Sequence, residues 1–576
     1  MFGSRVLCLQ VLTKVLTWVM FAAVASAKTV YIPPSWQSTG EVPWANNRLR
    51  ESNNFVLIWG EKSGTNPTSA PSPYNFDPAD IITQLENVYD FYLNDMRFTT
   101  ETNAVAQHKI VVIVTRTWNR EALDAWATGG SAEGRVGVIN IAPGAALPGS
   151  WGLAHELGHV LQNLVFLGRP GMGFTDASAG FFWEASAEFM AMQVYPNGGA
   201  GDLTRFLTTE NLAYSSTRHH YGAWMLIQYL CDKNGGVEIF NRLWNEAQNT
   251  EHPLETYRRI AGLTQAQLNV QMGEYGQHQV TYDYTNRASF IPFVNDVFGK
   301  GFINAYPGIL VEAVNQGAGH YAVPYAQAPS DYGYNIIELT PSSSGGLVKV
   351  HFKGHVNSNA GSGWSYGFVG VSSSGVPRYG PISTSADSQV QFQTQAGERV
   401  YLAVVGAPST VHKYAFQDGF TKQWRYAYEF GISGAVPTGY QSNYQRPPAV
   451  DGRWHSNGGG WVDNRANVAS TAFVGPRAAV FGSSTVTGNA RIEGLSWINS
   501  GATIGGNAVI KDNALIQGGA NLSGSLVAGG DAELANTCSS GTYMTFDQAR
   551  GCDGRGPESD INPPITRFRD DQVAVS

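Results

Sequence analysis

The sequence predicts a multidomain α+β protein: a mixed helix and strand domain built around a metal-binding helix, then a β-sandwich, then a C-terminal hexapeptide-repeat parallel β-helix. Three observations predict it. The segment HELGH at residues 155–159 sits among strand-like and helix-like patterns, short alternating apolar runs recur from about 305 to 432, and one apolar residue returns every six places from Val474 to Leu534.

The first 27 residues read as a secretory signal peptide. Arg5 and Lys14 lie beside an apolar run over 15–24, and Ala25-Ser26-Ala27 suits signal peptidase, so the mature chain is expected to start at Lys28 and to be secreted. No later stretch reaches the ~18 to 20 apolar residues of a membrane helix, which argues against a membrane partner. Loss of Arg5 and Lys14 takes the formal charge from −8 to about −10, and that balance excludes nucleic acid as the main partner. Charged residues are 14% of the chain, below the roughly 25% usual for soluble domains, as in a β-rich extracellular protein. Three cysteines survive export: Cys538 and Cys552 are placed to form a disulfide, and Cys231 ends an apolar helical run as a buried, inert thiol.

Residues 28–300 form the first domain. FVLIWG at 55–60 and KIVVIV at 109–114 read as strands, and 80–93 carries apolar residues at helical spacing. GVINI at 137–141 is a strand that runs into the HELGH helix, an order that sets a sheet edge where a peptide could lie beside a metal. Later helices are expected over 181–194, 221–232, 237–247 and 265–275.

Residues four apart on a helix share a face, so His155 and His159 can hold one zinc ion at about 2.0 to 2.1 Å. Zinc lowers the pKa of a water it holds from about 15.7 to near 7, and Glu156, next to the first ligand, is placed to take the proton and return it to a leaving amine. A catalytic zinc needs a third ligand. The metzincin pattern is excluded, because it wants Gly at 162 and His at 165 where this chain has Gln162 and Val165. The gluzincin pattern wants a Glu on a later helix, and FWEASAEFM at 182–190 supplies Glu184, 25 residues beyond His159. Glu188, one turn further, is expected to accept a hydrogen bond from the far nitrogen of His155 or His159. For the developing oxyanion the TRHHY segment at 217–221 offers Arg218, His219, His220 and Tyr221. Tyr221 is preferred, since a phenol at a helix start can donate without a charge, and His220 stands beside it as the alternative.

Residues 301–436, with runs such as GLVKVHF at 346–352 and RVYLAV at 399–404, are the expected β-sandwich. His320, His351, His355, His412 and His455 have no ligand spacing and read as structural. Pro447-Pro448 and the glycines at 458–460 mark 437–470 as a linker. In 471–536, Val474, Val480, Val486, Ile492, Ile498, Ile504, Ile510, Ile516 and Leu522 keep a six-residue register, and small residues such as Ala472, Ser484 and Ala502 precede most of them by two places. That is a parallel β-helix of three to four coils. It holds no His, so it is expected to be a spacer, cap or binding surface rather than an acyltransferase. Residues 537–576 are a tail carrying the Cys538–Cys552 bridge.

Taken together, WGLAHELGHVLQ, FWEASAEFM, RHHYGAW and the early FVLIWG strand resemble the Svx family, the secreted gluzincin-like zinc metallopeptidases that are virulence and avirulence proteins of plant-pathogenic bacteria. The resemblance implies zinc at His155, His159 and Glu184, with Glu156 as the catalytic carboxylate. It also implies hydroxyproline-rich, extensin-like plant cell-wall glycoproteins as the substrate class. The expected function is thus a secreted zinc endopeptidase acting on extracellular glycoprotein. The alternatives are a non-catalytic wall or glycan-binding protein with a structural metal site, and a zinc hydrolase of a non-peptide bond.

Overall fold

The computed structural model describes residues 27–39, 47–100, 106–119, 124–196, 198, 203, 206, 209–298, 308–342, 344–416, 423–441, 443–445, 450–535, 537–545 and 561–576. The proposed signal peptide, save Ala27, and Cys552 lie outside the described residues; Cys538 is disulfide-bonded. Among the described residues no helix is long and apolar enough to cross a membrane.

The first domain is built on a five-stranded sheet of β1 (Leu49–Glu51), β2 (Phe55–Trp59), β3 (Ile110–Val114), β4 (Ala127–Ala132) and β5 (Val136–Ile141), in the order β1-β2-β3-β5-β4. β2, β3 and β5 run parallel, with antiparallel strands at both edges. Every residue of β2 and β3 is buried, because both faces are covered. Phe55, Leu57, Val112 and Ile139 face the helices, while Val56, Ile58, Val111 and Val138 face a second layer that includes Tyr31, Ile32 and Trp36.

The sheet edge differs from expectation. β5 is internal, and the edge beyond it is β4, whose sequence ATGGSA has no apolar alternation to announce a strand.

α1 (Pro78–Asp90) starts at Asp77, which accepts from the amides of Ala79 and Asp80, and it passes into a π-turn at Phe91–Asp95. α2 (Trp151–Leu164) carries HELGH and is capped by Ser150, which accepts from the Leu153 amide. α3 (Gly180–Val194) packs across it at Gly158, where an added Cβ would already stand 3.4 Å from Ala187 Cα. That close approach lets carboxylates on α3 reach imidazoles on α2. A 3-10 turn at His220–Ala223 leads into α4 (Trp224–Lys233), whose Cys231 is a buried free thiol pushed upward in pKa by its burial. α5 (Pro253–Ile260) and α6 (Gln265–His278) follow, and Gln277 on α6 donates to the carbonyls of Phe368 and Gly380 in the next unit.

That unit consists of two five-stranded antiparallel sheets between residues 312 and 437. Ile337, Leu339, Phe368 and Leu402 from one sheet and Val348, Val350, Phe352 and Phe430 from the other share one core, and the rings of Phe352 and Tyr366 stack at 4.0 Å across it. The histidines read as structural are tied in place: His320 and His355 both bond to buried Glu429, at 2.7 and 2.9 Å, and His412 to Asp331 at 2.7 Å. Residues 561–576 return to this unit, where Lys349 donates to the Ser576 carbonyl at 2.9 Å and Val573 is buried.

The C-terminal repeats form a β-solenoid of five turns rather than three to four. Its first turn starts at Trp461–Asp463, inside the expected linker, and its last takes in Thr537–Cys538 and Thr542–Thr545 from the expected tail. Val462 and Val468 carry the six-residue register back past Val474, and the glycines at 458 and 459 sit at positive φ, shaping a bend rather than a flexible link. Three inward columns, headed by Val462, Val468 and Val474, fill the interior, with Ala472, Ser484, Ala502 and their equivalents also buried.

The three outer faces are unlike. Asn467, Thr485, Thr503 and Asn521 leave one face polar, whereas Trp461, Ala479, Trp497, Leu515 and Glu533, each 18 residues on, form a docking column. Ala479, Phe481, Trp497 and Leu515 belong to the same buried cluster as the first domain.

Candidate metal centre

His155 and His159 project from one side of α2 toward Glu184 on α3. Each Nε2 lies 3.2 Å from Glu184 Oε2, and one ligand atom from each of the three residues falls within 4.8 Å of the others. The rings meet nearly edge to face, at 85°.

The remote ring nitrogens fix the tautomers. His155 Nδ1 donates to Glu188 Oε2 at 3.2 Å, and Trp151 Nε1 donates to the same oxygen at 2.9 Å. Glu188 is fully buried, as the second expected carboxylate one turn beyond Glu184. His159 Nδ1 meets Gln162 Oε1 at 2.9 Å. The Gln162 amide cannot be turned over, because its nitrogen donates to the Trp183 carbonyl at 3.1 Å and to Ser186 Oγ at 3.0 Å, while Ser186 donates to Phe182. These acceptors would keep each ring's proton on the outer nitrogen once a cation takes the two Nε2 positions, which converge with Glu184. Two imidazoles and a carboxylate so arranged fit a divalent cation that takes nitrogen and oxygen ligands.

The electrostatics agree with that fit. Burial works against charge on His155, yet its hydrogen bonds to the Glu184 and Glu188 carboxylates outweigh it and push the imidazole up to about 10. Burial likewise opposes charge on Glu184, but its bonds to His155 and His159 hold the carboxyl far below the usual range. The cluster favours positive charge at its centre.

Glu156 is not one of the three converging residues but lies within electrostatic reach of all of them. Its side is lined by β4, and burial raises its pKa against the pull of the two histidines and a hydrogen bond from the Gly129 amide. Gly129 is obligatory, since an added Cβ would lie 2.1 Å from the Glu156 carbonyl oxygen. The Tyr221 ring stands 5.8 Å from the His155 ring, and the His220 ring lies tilted against Tyr221 at 4.3 Å while packing against Phe416 at 5.1 Å. The turn thus brings Tyr221 beside the cluster with His220 behind it. Arg218 and His219 are buried in other directions. His219 donates from Nε2 to the Ala213 carbonyl at 3.1 Å and accepts at Nδ1 from Thr209 at 2.9 Å, burial lowering its pKa to about 3.

Gln162, Ser186, Trp151 and Gly129 went unread in the sequence. Gln162, three residues after His159 on the same helix, left a usable signal; the others act through contacts that no local pattern encodes. Trp126, 48% exposed at the head of β4, packs against Trp151 and forms an apolar wall beside the site.

The family profile described as a family of unknown function, DUF6055, matches residues 22–439. The chain belongs to that family. The match spans the metal centre and the two following sheets and stops before the solenoid. Comparison with curated proteins gives no match. Among solved structures the chain is similar to the M60 catalytic domain of ZmpC from Clostridium perfringens, determined in complex with the sialyl T antigen. Identity is 13% over 66% of this chain and 68% of that one, with a TM-score of 0.23, a likeness too slight to assign a fold or a role.

Proposed function

We propose that this member of the DUF6055 family is a secreted zinc endopeptidase of gluzincin type that cleaves extracellular glycoproteins. The observation that carries the proposal is the convergence of His155, His159 and Glu184 within 4.8 Å, with both outer ring nitrogens tied back and Glu156 adjacent but not converging. A structural site has no use for a buried, raised carboxylate at its side. The substrate class, hydroxyproline-rich plant wall glycoprotein, and export after residue 27 rest on the Svx resemblance and on the N-terminal pattern.

A bound zinc ion would supply Lewis acidity, polarising the scissile carbonyl and making water nucleophilic near neutral pH. Glu156, its pKa raised by burial, accepts the proton of the attacking water and delivers it to the departing amine. Tyr221 donates its phenolic proton to the developing oxyanion. The free side of β4, which pairs only with β5 among the described residues, aligns an extended substrate through main-chain hydrogen bonds. The two sheets read as a β-sandwich, which buttresses α6.

Purified chain starting at Lys28 should bind one zinc, cleave a wall glycoprotein and lose cleavage on chelation. Glu156→Gln should keep the metal and abolish turnover; undiminished cleavage by that variant refutes the proposal.

One observation favours an added glycan-binding role: Trp454 is 38% exposed and its ring meets Trp461 at 4.9 Å, at a cleft also lined by Arg477 and Trp497. Retention of the full chain on wall polysaccharide, lost on Trp454→Ala, is the test.

A further inference from the structure

The turn that carries Tyr221 is gripped from outside its own domain. Arg218, three residues before Tyr221, is 1% exposed, and its own segment, Ser215-Ser216-Thr217, offers no counter-charge. Its guanidinium reaches into the solenoid. Nη1 donates to the Asp531 carbonyl, Nη2 to the Asn513 carbonyl at 3.2 Å, and Nε lies 3.9 Å from the Glu533 carboxylate.

The acceptors are themselves fixed. The Asp531 carboxylate takes a hydrogen bond from Arg425 Nη2 at 2.5 Å and another from Asn513 Nδ2 at 3.1 Å, and Arg425 Nη1 donates to the Ala326 carbonyl at 2.6 Å. One buried network therefore joins the Tyr221 turn, the paired sheets and the end of the solenoid.

The repeat register shows that this is not incidental packing. The docking column runs Trp461, Ala479, Trp497, Leu515 and then Glu533, apolar or aromatic in four coils and acidic in the fifth. The charge enters at the coil that Arg218 reaches.

We propose that the last coils of the solenoid position the catalytic turn: Asn513, Asp531 and Glu533 hold Arg218, and Arg218 holds residues 217–221 so that Tyr221 stays beside His155. A guanidinium cannot shed its charge, so weakening those acceptors shifts it toward water and loosens the turn that carries it. Within the domain the turn has separate ties, from His219 to Thr209 and Ala213 and from His220 Nδ1 to the Thr217 carbonyl at 2.6 Å, so it stays attached when the solenoid grip is weakened. Arg218, Asp531 and Glu533 are positioning residues; none reaches the metal cluster. This role rests on the reading of the metal centre as catalytic.

The test uses the full chain carrying Glu533→Gln, which removes the facing charge, Arg218→Lys, which removes the fork, or Asp531→Asn, which leaves the carbonyl acceptor but weakens the Arg425 tie that fixes it. The control is Glu493→Gln, which breaks a surface pair with Arg491 on another face. Backbone hydrogen exchange is followed over residues 215–223 and over α2, together with bound zinc, kcat and KM on wall glycoprotein. The three network variants should keep their zinc and the exchange rate of α2, exchange about tenfold faster over 215–223, and lose about tenfold or more in kcat with little change in KM. The control should match the parent chain. Parent-like exchange over 215–223 in folded variants overturns the proposal, as does acceleration of α2 to the same degree, which would mark general loosening. A parent chain that binds zinc without cleaving anything defeats the catalytic reading alone, because the exchange arm still decides whether the solenoid holds the turn.

Discussion

Glu188 Oε2 accepts from His155 Nδ1 across 3.2 Å, joining α3 to α2 through the side of the imidazole that faces away from the metal position. The same oxygen takes the Trp151 indole, so the ring is steered from behind before any ion arrives.

Glu188→Ala should therefore weaken zinc binding by about 10- to 100-fold while leaving three ligands in place. Gln162→Ala should act likewise through His159. Competition titration against a zinc chelator reads both, and an unchanged affinity in either variant removes that residue from the metal's support.

Gly129 and Gly130 make a paired test of the edge strand. An added methyl at Gly129 meets the Glu156 carbonyl at 2.1 Å, whereas at Gly130 the nearest atom is Asn163 Nδ2 at 3.9 Å. Gly129→Ala should displace β4 and lower kcat/KM by about tenfold or more, and Gly130→Ala should be nearly silent. Equal activities would mean that β4 does not govern the Glu156 side of the site.

The solenoid interior should respond as a packed core. Ile504 is fully buried in its column, while Thr503 beside it faces outward. Ile504→Ala should cost about 2 to 5 kcal/mol and Thr503→Ala under about 0.5, read from the denaturant midpoint of the solenoid transition.

His252 gives the chain an acid limit. It caps α5 by accepting the Leu254 amide at Nδ1, 3.2 Å away, which requires the neutral ring. Burial lowers its pKa from 6.5 to about 3. Because the unfolded chain takes up the proton first, this contribution is complete above about pH 6.5 and is lost as pH falls toward 3, by up to ~1.4 kcal/mol per pH unit. His252→Asn, which can cap without titrating, should flatten unfolding stability between pH 6.5 and 4. A slope identical to that of the parent would assign the acid sensitivity elsewhere.

The metal ligands were legible because helical spacing places them: His155 and His159 share a face by periodicity alone, and Glu184 and Glu188 repeat that spacing. β4 was not, since Ala-Thr-Gly-Gly-Ser-Ala becomes a strand only by pairing with β5, and Gly129 is required by a contact with a helix that lies 27 residues on. The start of the solenoid was masked by its glycines, which signal a bend and a linker alike; the register at Val462 and Val468 was the better guide. His320 and Glu429 meet at 2.7 Å from 109 residues apart, and Arg218 meets Asp531 across a still longer separation. Such pairings follow from the tertiary fold and leave nothing in either local segment to read.

Arg477 and Asp531 occupy the same corner of the solenoid three coils apart, and the first bonds to the Leu310 and Gly439 carbonyls just as the second receives Arg218. With strands stacked about 4.8 Å apart, the two grips are separated by roughly 14 Å. The repeat array is in that sense a ruler whose graduations come in whole coils. Evolution can lengthen it beyond the upper grip, but adding or deleting one 18-residue unit between the two marks would put the wrong rung opposite Arg218.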